Sequence, residues 1–166
     1  MIGLVKIVDL NDKWAVLIGR LFIAFGSIER TTHNCLIDWL KDPTYAHISK
    51  MRFSQRVDVI IDLLGTLEFV EQNKADLIQG LKKAKKLAEK RNIVAHNPLM
   101  LDLFDGDFKE IIISNTKDGV TITFEELQQI TQSAESLSTE LINTCTKIKL
   151  EGWEGLPITS QLRRDC

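Results

Sequence analysis

Between Leu77 and Pro98 the chain reads LIQGLKKAKKLAEKRNIVAHNP. Leu77, Leu81, Ala84, Ala88 and Ala95 fall on steps of three, four and seven, the period of one helix face. The spacing predicts a helix from about Asn73 to His96. Asn97-Pro98 ends it, because proline lacks a backbone donor and drives the preceding residue toward extended backbone. Arg91 stands on that apolar stripe, three residues after Ala88 and four before Ala95. A guanidinium cannot shed its charge, so on an inward face it needs a carboxylate or an anion. Asn92 and His96, four apart, share a different face. At ~100° per residue, Arg91 and His96 point ~140° apart around the axis. One helix alone therefore makes no compact Arg–His site, whereas a second copy packed antiparallel at this helix end would bring two Arg–His sets to one cleft.

Upstream, residues 12–41 carry a helical pattern through Ile18, Phe22, Phe25, Thr32, Leu36 and Trp39, stopped by Asp42-Pro43. A second pattern spans about 48–72, with Val57, Ile60, Ile61, Leu64, Leu67 and Phe69 as its apolar residues. After Pro98 the texture changes. Short apolar runs at 99–104 and 109–114 flank Asp105-Gly106-Asp107, and Asp118-Gly119 precedes Val120-Thr121-Ile122-Thr123, which predicts a small β-hairpin over about 99–123. Thr123-Phe124-Glu125-Glu126 has the capping-box spacing and opens a last helix to about Lys149, striped by Leu127, Ile130, Ala134, Leu137, Leu141, Cys145 and Ile148. Each helix must bury its stripe. The expectation is an all-α fold, a four- to five-helix up-down bundle with a small β-hairpin insertion between the last two long helices. Residues 1–150 form one domain, and 151–166, with Gly152, Gly155 and Pro157, form a C-terminal tail.

A second charge lies on an inward stripe. Glu29 follows Phe25 by four and precedes Thr32 by three. Two opposite charges on two core faces suggest that Glu29 contacts and orients Arg91. The alternative is that both sit at helix edges and reach water.

The whole chain has 166 residues, 44% hydrophobic and 27% charged, with three prolines and nine glycines. That composition excludes disorder and low-complexity classes. The net charge of −2 creates no global attraction to nucleic acid or anionic membrane, so any nucleic-acid site must be local. Three widely spaced cysteines, Cys35, Cys145 and Cys166, with no C-x-x-C, argue against a disulfide scaffold or zinc ribbon and fit a reducing compartment. The start of the chain lacks a secretory pattern, and the apolar window 14–28, interrupted by Arg20, is short of the ~20 residues a membrane span needs. These features predict a soluble, cytoplasmic protein without membrane partners. Glu29 and His33 share a face, but no third ligand is in view, so no metal site is expected, nor any cofactor. Trp14, Trp39 and Trp153 are scattered and form no base-stacking platform.

Arg91-Asn92-Ile93-Val94-Ala95-His96 resembles the signature of HEPN domains, an Arg, a polar residue and a His five positions after the Arg, at the end of a long helix. The resemblance extends to the four-helix plan over roughly 12–150, and Glu29 matches an acidic position many members carry on an earlier helix. The insertion between the last two helices varies among HEPN proteins and leaves the subfamily open. The resemblance implies a homodimeric, metal-independent endoribonuclease in which the RNA 2′-hydroxyl attacks the adjacent phosphate and leaves a 2′,3′-cyclic phosphate. In that scheme His96 is general base or acid. Arg91 holds the phosphate and stabilises its charge, Asn92 orients either group or binds a phosphate oxygen, and Glu29 supports Arg91. Such enzymes act as toxins of toxin–antitoxin pairs, in phage defence and in RNA processing, with a cognate antitoxin or a nucleotidyltransferase as protein partner. Other HEPN domains are catalytically silent dimerisation, nucleotide-binding or partner-binding modules.

Lys82, Lys83, Lys85, Lys86 and Lys90 precede the motif. Read with the resemblance, Lys85, Lys86 and Lys90 track an RNA backbone toward the site. Lys85 lies on the Asn92–His96 face, roughly 16 Å from His96 along the axis at 1.5 Å per residue, within reach of a neighbouring nucleotide only. Read without it, the run is a solvated helix face.

Overall fold

The structure is a computed structural model and describes residues 8–40, 43–104, 106–116 and 119–151. Asp42, Asp105 and Asp118, expected at turns, and the tail from Gly152 onward, with Trp153, Pro157 and Cys166, lie outside the described residues. The fold is mostly helical, with five helices among the described residues and one small antiparallel sheet. In chain order these are α1 (Lys13–Trp39), α2 (Thr44–Ile48), α3 (Phe53–Thr66), α4 (Glu71–His96), β1 (Leu99–Phe104), β2 (Asp107–Ile113), β3 (Thr121–Ile122) and α5 (Phe124–Glu151).

The insertion occupies the expected residues but is a three-stranded sheet, one strand more than a hairpin. β1 pairs antiparallel with β2, from Leu99 opposite Ile112 to Phe104 opposite Asp107, and β2 pairs with β3 through Ile112–Ile122 and Ile113–Thr121. Gly106 and Gly119 take φ of +86° and +71°, the left-handed region where a side chain would be strained. The helix expected over about 48–72 starts later and ends earlier, at Phe53 and Thr66. Arg52 is extended (ψ 151°), its N–H donating to Gln55 Oε1 at 3.2 Å, and Leu67 is extended again at ψ 144°. The apolar residues Leu67, Phe69 and Val70 prolong the pattern in sequence, but they belong to the α3–α4 connection.

The described chain groups into two compact units. In the first, residues 13–27 of α1, 86–96 of α4 and 124–136 of α5 join the sheet around a core of Trp14, Leu17, Leu21, Ala24, Val94, Ile112, Ile122, Leu127 and Ala134. This differs from the expected α1 stripe. Phe22 is 39% exposed, and Trp14, absent from that stripe, is fully buried. Trp14 meets the Phe124 ring edge-on at 5.4 Å between centroids and donates Nε1–H to Glu110 on β2 at 2.8 Å. Asp9 caps α1, its carboxylate accepting from the N–H groups of Trp14 (2.9 Å) and Ala15 (3.1 Å), while its own N–H donates to Glu110. The capping box of α5 forms as expected, with Thr123 N–H on Glu126 Oε2 at 2.9 Å and Glu126 N–H on Thr123 Oγ1 at 3.2 Å.

Glu110 gathers much of this unit. Burial alone would raise its pKa, but hydrogen bonds from Asp9, Trp14 and Lys13, with the Lys13 charge 3.2 Å away, outweigh that and hold it below its ordinary value. The stability this carboxylate contributes is therefore full above the ordinary glutamate pKa of about 4.3 and is lost as the pH falls through the lower folded value. Urea midpoints between pH 7 and pH 3 should fall more steeply for the wild type than for Glu110→Gln. Equal slopes would show that Glu110 does not set the acid sensitivity.

In the second unit, residues 28–39 of α1, α2, α3, 71–85 of α4 and 137–151 of α5 bury Ile28, Leu36, Val57, Ile60, Leu64, Leu77, Leu81, Leu137, Leu141 and Ile148. Gly80 allows a close approach between helices, since a Cβ there would lie 2.7 Å from Leu141 Cδ2. Glu151 on α5 accepts from the Val70 N–H at 2.7 Å and from Asn73 Nδ2, placing a carboxylate at the positive N-terminal end of α4. Trp39 is half-buried, tilted against Phe69 with ring centroids 5.7 Å apart.

Candidate functional site at the end of α4

The expected helix over 73–96 runs to His96, and Asn97 shapes the chain just beyond it. Its Nδ2–H donates to the Ile93 carbonyl at 2.8 Å, and its Oδ1 accepts the Asn115 N–H at 2.6 Å. One side chain thus satisfies a carbonyl of the last turn and ties the segment after β2 to the helix. The segment itself is braced by Ser114 N–H on the Val120 carbonyl at 2.9 Å.

Between the helix end and this segment lies a cleft of about 380 Å³, lined by Asn92, Ile93, His96, Asn97, Asn115 and Thr116, with Glu89 one turn up. Asn92 and His96 are both exposed on it, as their four-residue spacing requires. The volume falls within the usual range for small-ligand pockets. In sequence Asn97 reads only as part of the helix stop. The available signal is an Asn just past a helix end, where its amide can both donate and accept. In Asn97→Ala we expect the loss of about 1 kcal/mol from these bonds and faster hydrogen exchange at the Asn115 amide. Unchanged exchange there would mean that something else holds the segment.

Arg91 does not line this cleft. It is half-buried, its guanidinium carbon 4.5 Å from the Phe25 ring centroid and 5.9 Å from that of Phe22. The expectation for its charge is a carboxylate or an anion, whereas these two contacts are with aromatic faces, whose quadrupoles attract a cation. The stripe itself continues through Val94, which is buried, while Ala95 is exposed. Glu29 is half-buried and belongs to the second unit, Arg91 to the first.

The lysines separate by environment. Lys85 is half-buried and bonded to Asp58 at 2.6 Å, and Lys83 lies 3.7 Å from Glu140. Lys82, Lys86 and Lys90 are exposed. His33 is half-buried with its ring edge-on to Tyr45, and burial, together with the charge of Arg56, lowers its pKa. Among the described residues, no group of three His, Cys, Asp or Glu side chains is placed to hold a metal ion, and no helix is long and apolar enough to cross a membrane.

A larger cleft of about 650 Å³ in the first unit is walled by Trp14, Phe108, Phe124 and Lys13, with Glu110 at its side. Glu110 is already engaged by Asp9, Trp14 and Lys13, so its chemistry there is structural. Of these two clefts, the smaller presents a titratable histidine. Compared with models of protein families, with curated proteins and with solved structures, the chain finds no match.

Proposed function

We propose that the protein is a metal-independent endoribonuclease of the HEPN type, working as a homodimer in which two copies of the α4 end form one composite site. The observation that carries this reading is the pairing of Asn92 and His96 in an open cleft at the helix end, with Arg91 on another face of the same helix. His96 takes the proton from the RNA 2′-hydroxyl as its oxygen attacks the neighbouring phosphorus. The P–O5′ bond breaks, a 2′,3′-cyclic phosphate forms, and the departing 5′ oxygen receives a proton from the second copy's histidine. Arg91 from either copy stabilises the charge that gathers on the phosphoryl oxygens, and Asn92 donates to one of them. The exposed Lys86 and Lys90 extend the positive surface along the helix.

A second reading is a catalytically silent HEPN module that binds a nucleotide or a protein partner. Its protein-binding form is favoured by Glu89, which lines the His96 cleft, and by the negative partial charge at a helix C-terminus. Both oppose a phosphate unless a partner copy supplies the compensating guanidinium. Incubation of the protein with a mixed RNA pool in EDTA, followed by end-group analysis, decides between the two. Cleavage to 2′,3′-cyclic phosphate ends supports the nuclease. Intact RNA at every protein concentration favours the silent module.

A further inference from the structure

We propose that Cys35 and Cys145 form an oxidisable dithiol, a modification site at which a peroxide converts two free thiols into a disulfide joining α1 to α5. Both cysteines are free thiols and nearly fully buried in the second unit, and their sulfurs lie 3.3 Å apart although 110 positions separate them in the chain. A disulfide holds its sulfurs about 2.0 Å apart, so closure needs a movement of little more than ~1 Å. Access is provided by a small cleft of about 100 Å³ to which both cysteines contribute, with Thr31, Asn34, Thr146 and Lys149 around them.

The surroundings favour a defined order of steps. The hydrogen bond shared with Cys35 and the Lys149 ammonium both favour a Cys145 thiolate against the opposing effect of burial, whereas the same hydrogen bond and burial raise Cys35. Lys149 is itself fixed by Asp38 at 2.7 Å. Cys145 is then the attacking sulfur, since the thiolate is the nucleophile. It attacks one oxygen of hydrogen peroxide, the O–O bond breaks, and hydroxide leaves while Cys145 becomes a sulfenic acid. Cys35 sulfur attacks that sulfur, the S–S bond forms, the S–O bond breaks, and the oxygen leaves as water with the Cys35 proton. Two thiols and one peroxide give one disulfide and two waters. The bond would close a loop of over 100 residues and so restrict the unfolded chain strongly.

The test treats the full chain with hydrogen peroxide, then alkylates and digests it for mass spectrometry. The expected product is lighter by two hydrogens, carries a Cys35–Cys145 linked peptide, reverts with dithiothreitol, and melts about 5 °C or more above the reduced protein. In a Cys166→Ser variant the same link should form, and in Cys35→Ser the Cys145 sulfenic acid should persist long enough to be trapped by dimedone. The proposal is overturned if Cys35 and Cys145 remain alkylatable after peroxide, if each is oxidised separately to sulfinic acid, or if the link runs through Cys166. None of these outcomes depends on ribonuclease activity.

Discussion

His96→Ala should lower RNA cleavage by about 10²- to 10⁴-fold, the usual contribution of a positioned general acid or base, while leaving the unfolding midpoint within about 0.5 kcal/mol of the wild type. The separation of the two effects follows from position. His96 is exposed on the cleft, and substitutions at such sites rarely move stability further. Arg91→Lys is the companion variant. It keeps the positive charge but loses the planar fork that grips phosphate in a bidentate way and that stacks on an aromatic face. Because the guanidinium lies 4.5 Å from the Phe25 ring centroid, this variant should lose about 0.5–1 kcal/mol of stability as well as at least ~10-fold in cleavage. Single-turnover assays in EDTA, beside urea denaturation of each variant, read both quantities. Wild-type cleavage by a folded His96→Ala protein would sink the proposed role of His96, and with it the composite site.

The largest stability effect is expected at Trp14. Its ring is fully buried, packs edge-on to Phe124, and hydrogen-bonds Glu110 through Nε1. Truncating a buried tryptophan removes its transfer free energy and leaves a cavity, together about 3–5 kcal/mol. For a chain of this length that corresponds to a fall in Tm of roughly 10 °C. Trp14→Phe separates packing from polarity. It retains most of the apolar volume but leaves Glu110 without its indole donor, and should cost about 1–3 kcal/mol. Equal losses in the two variants would mean that the hydrogen bond, and not the packing, carries the effect. A loss below 1 kcal/mol in Trp14→Ala would remove Trp14 from the centre of the first unit's core.

The connection between this core and the candidate site is local. Val94, two residues before His96, belongs to the same cluster as Trp14 and Leu21, and Ile93 packs against that cluster. The face of α4 that carries Asn92 and His96 is oriented by what Ile93 and Val94 bury. Asn97 then sets the far wall of the cleft through Asn115. A defect at Trp14 should therefore lower activity through the population of folded protein, and a defect at Asn97 through the shape of the cleft.

Several features are determined by chain neighbours alone and are legible without the fold. The capping box at Thr123 and Glu126, the extent of α4 and α5, and the shared face of Asn92 and His96 all depend on spacings of three or four residues, which the helix itself makes into contacts. The presence of strand after Pro98 is legible from its β-branched runs. The β-branched run at 120–123 is part of that signal, but its place as a third strand is set by pairing, since Thr121–Ile122 is only two residues long and is defined by its partner on β2. The buried face of α1 is decided by packing. Val16, Phe22 and Ile23 are apolar yet exposed, so the helix is apolar around much of its circumference and periodicity could not choose between Trp14 and Phe22. The bond from Trp14 to Glu110 and the contact of Cys35 with Cys145 join residues about a hundred positions apart. No local signal encodes such pairs. They exist because several helices bury their stripes together, and that shared burial is settled only when the chain is folded.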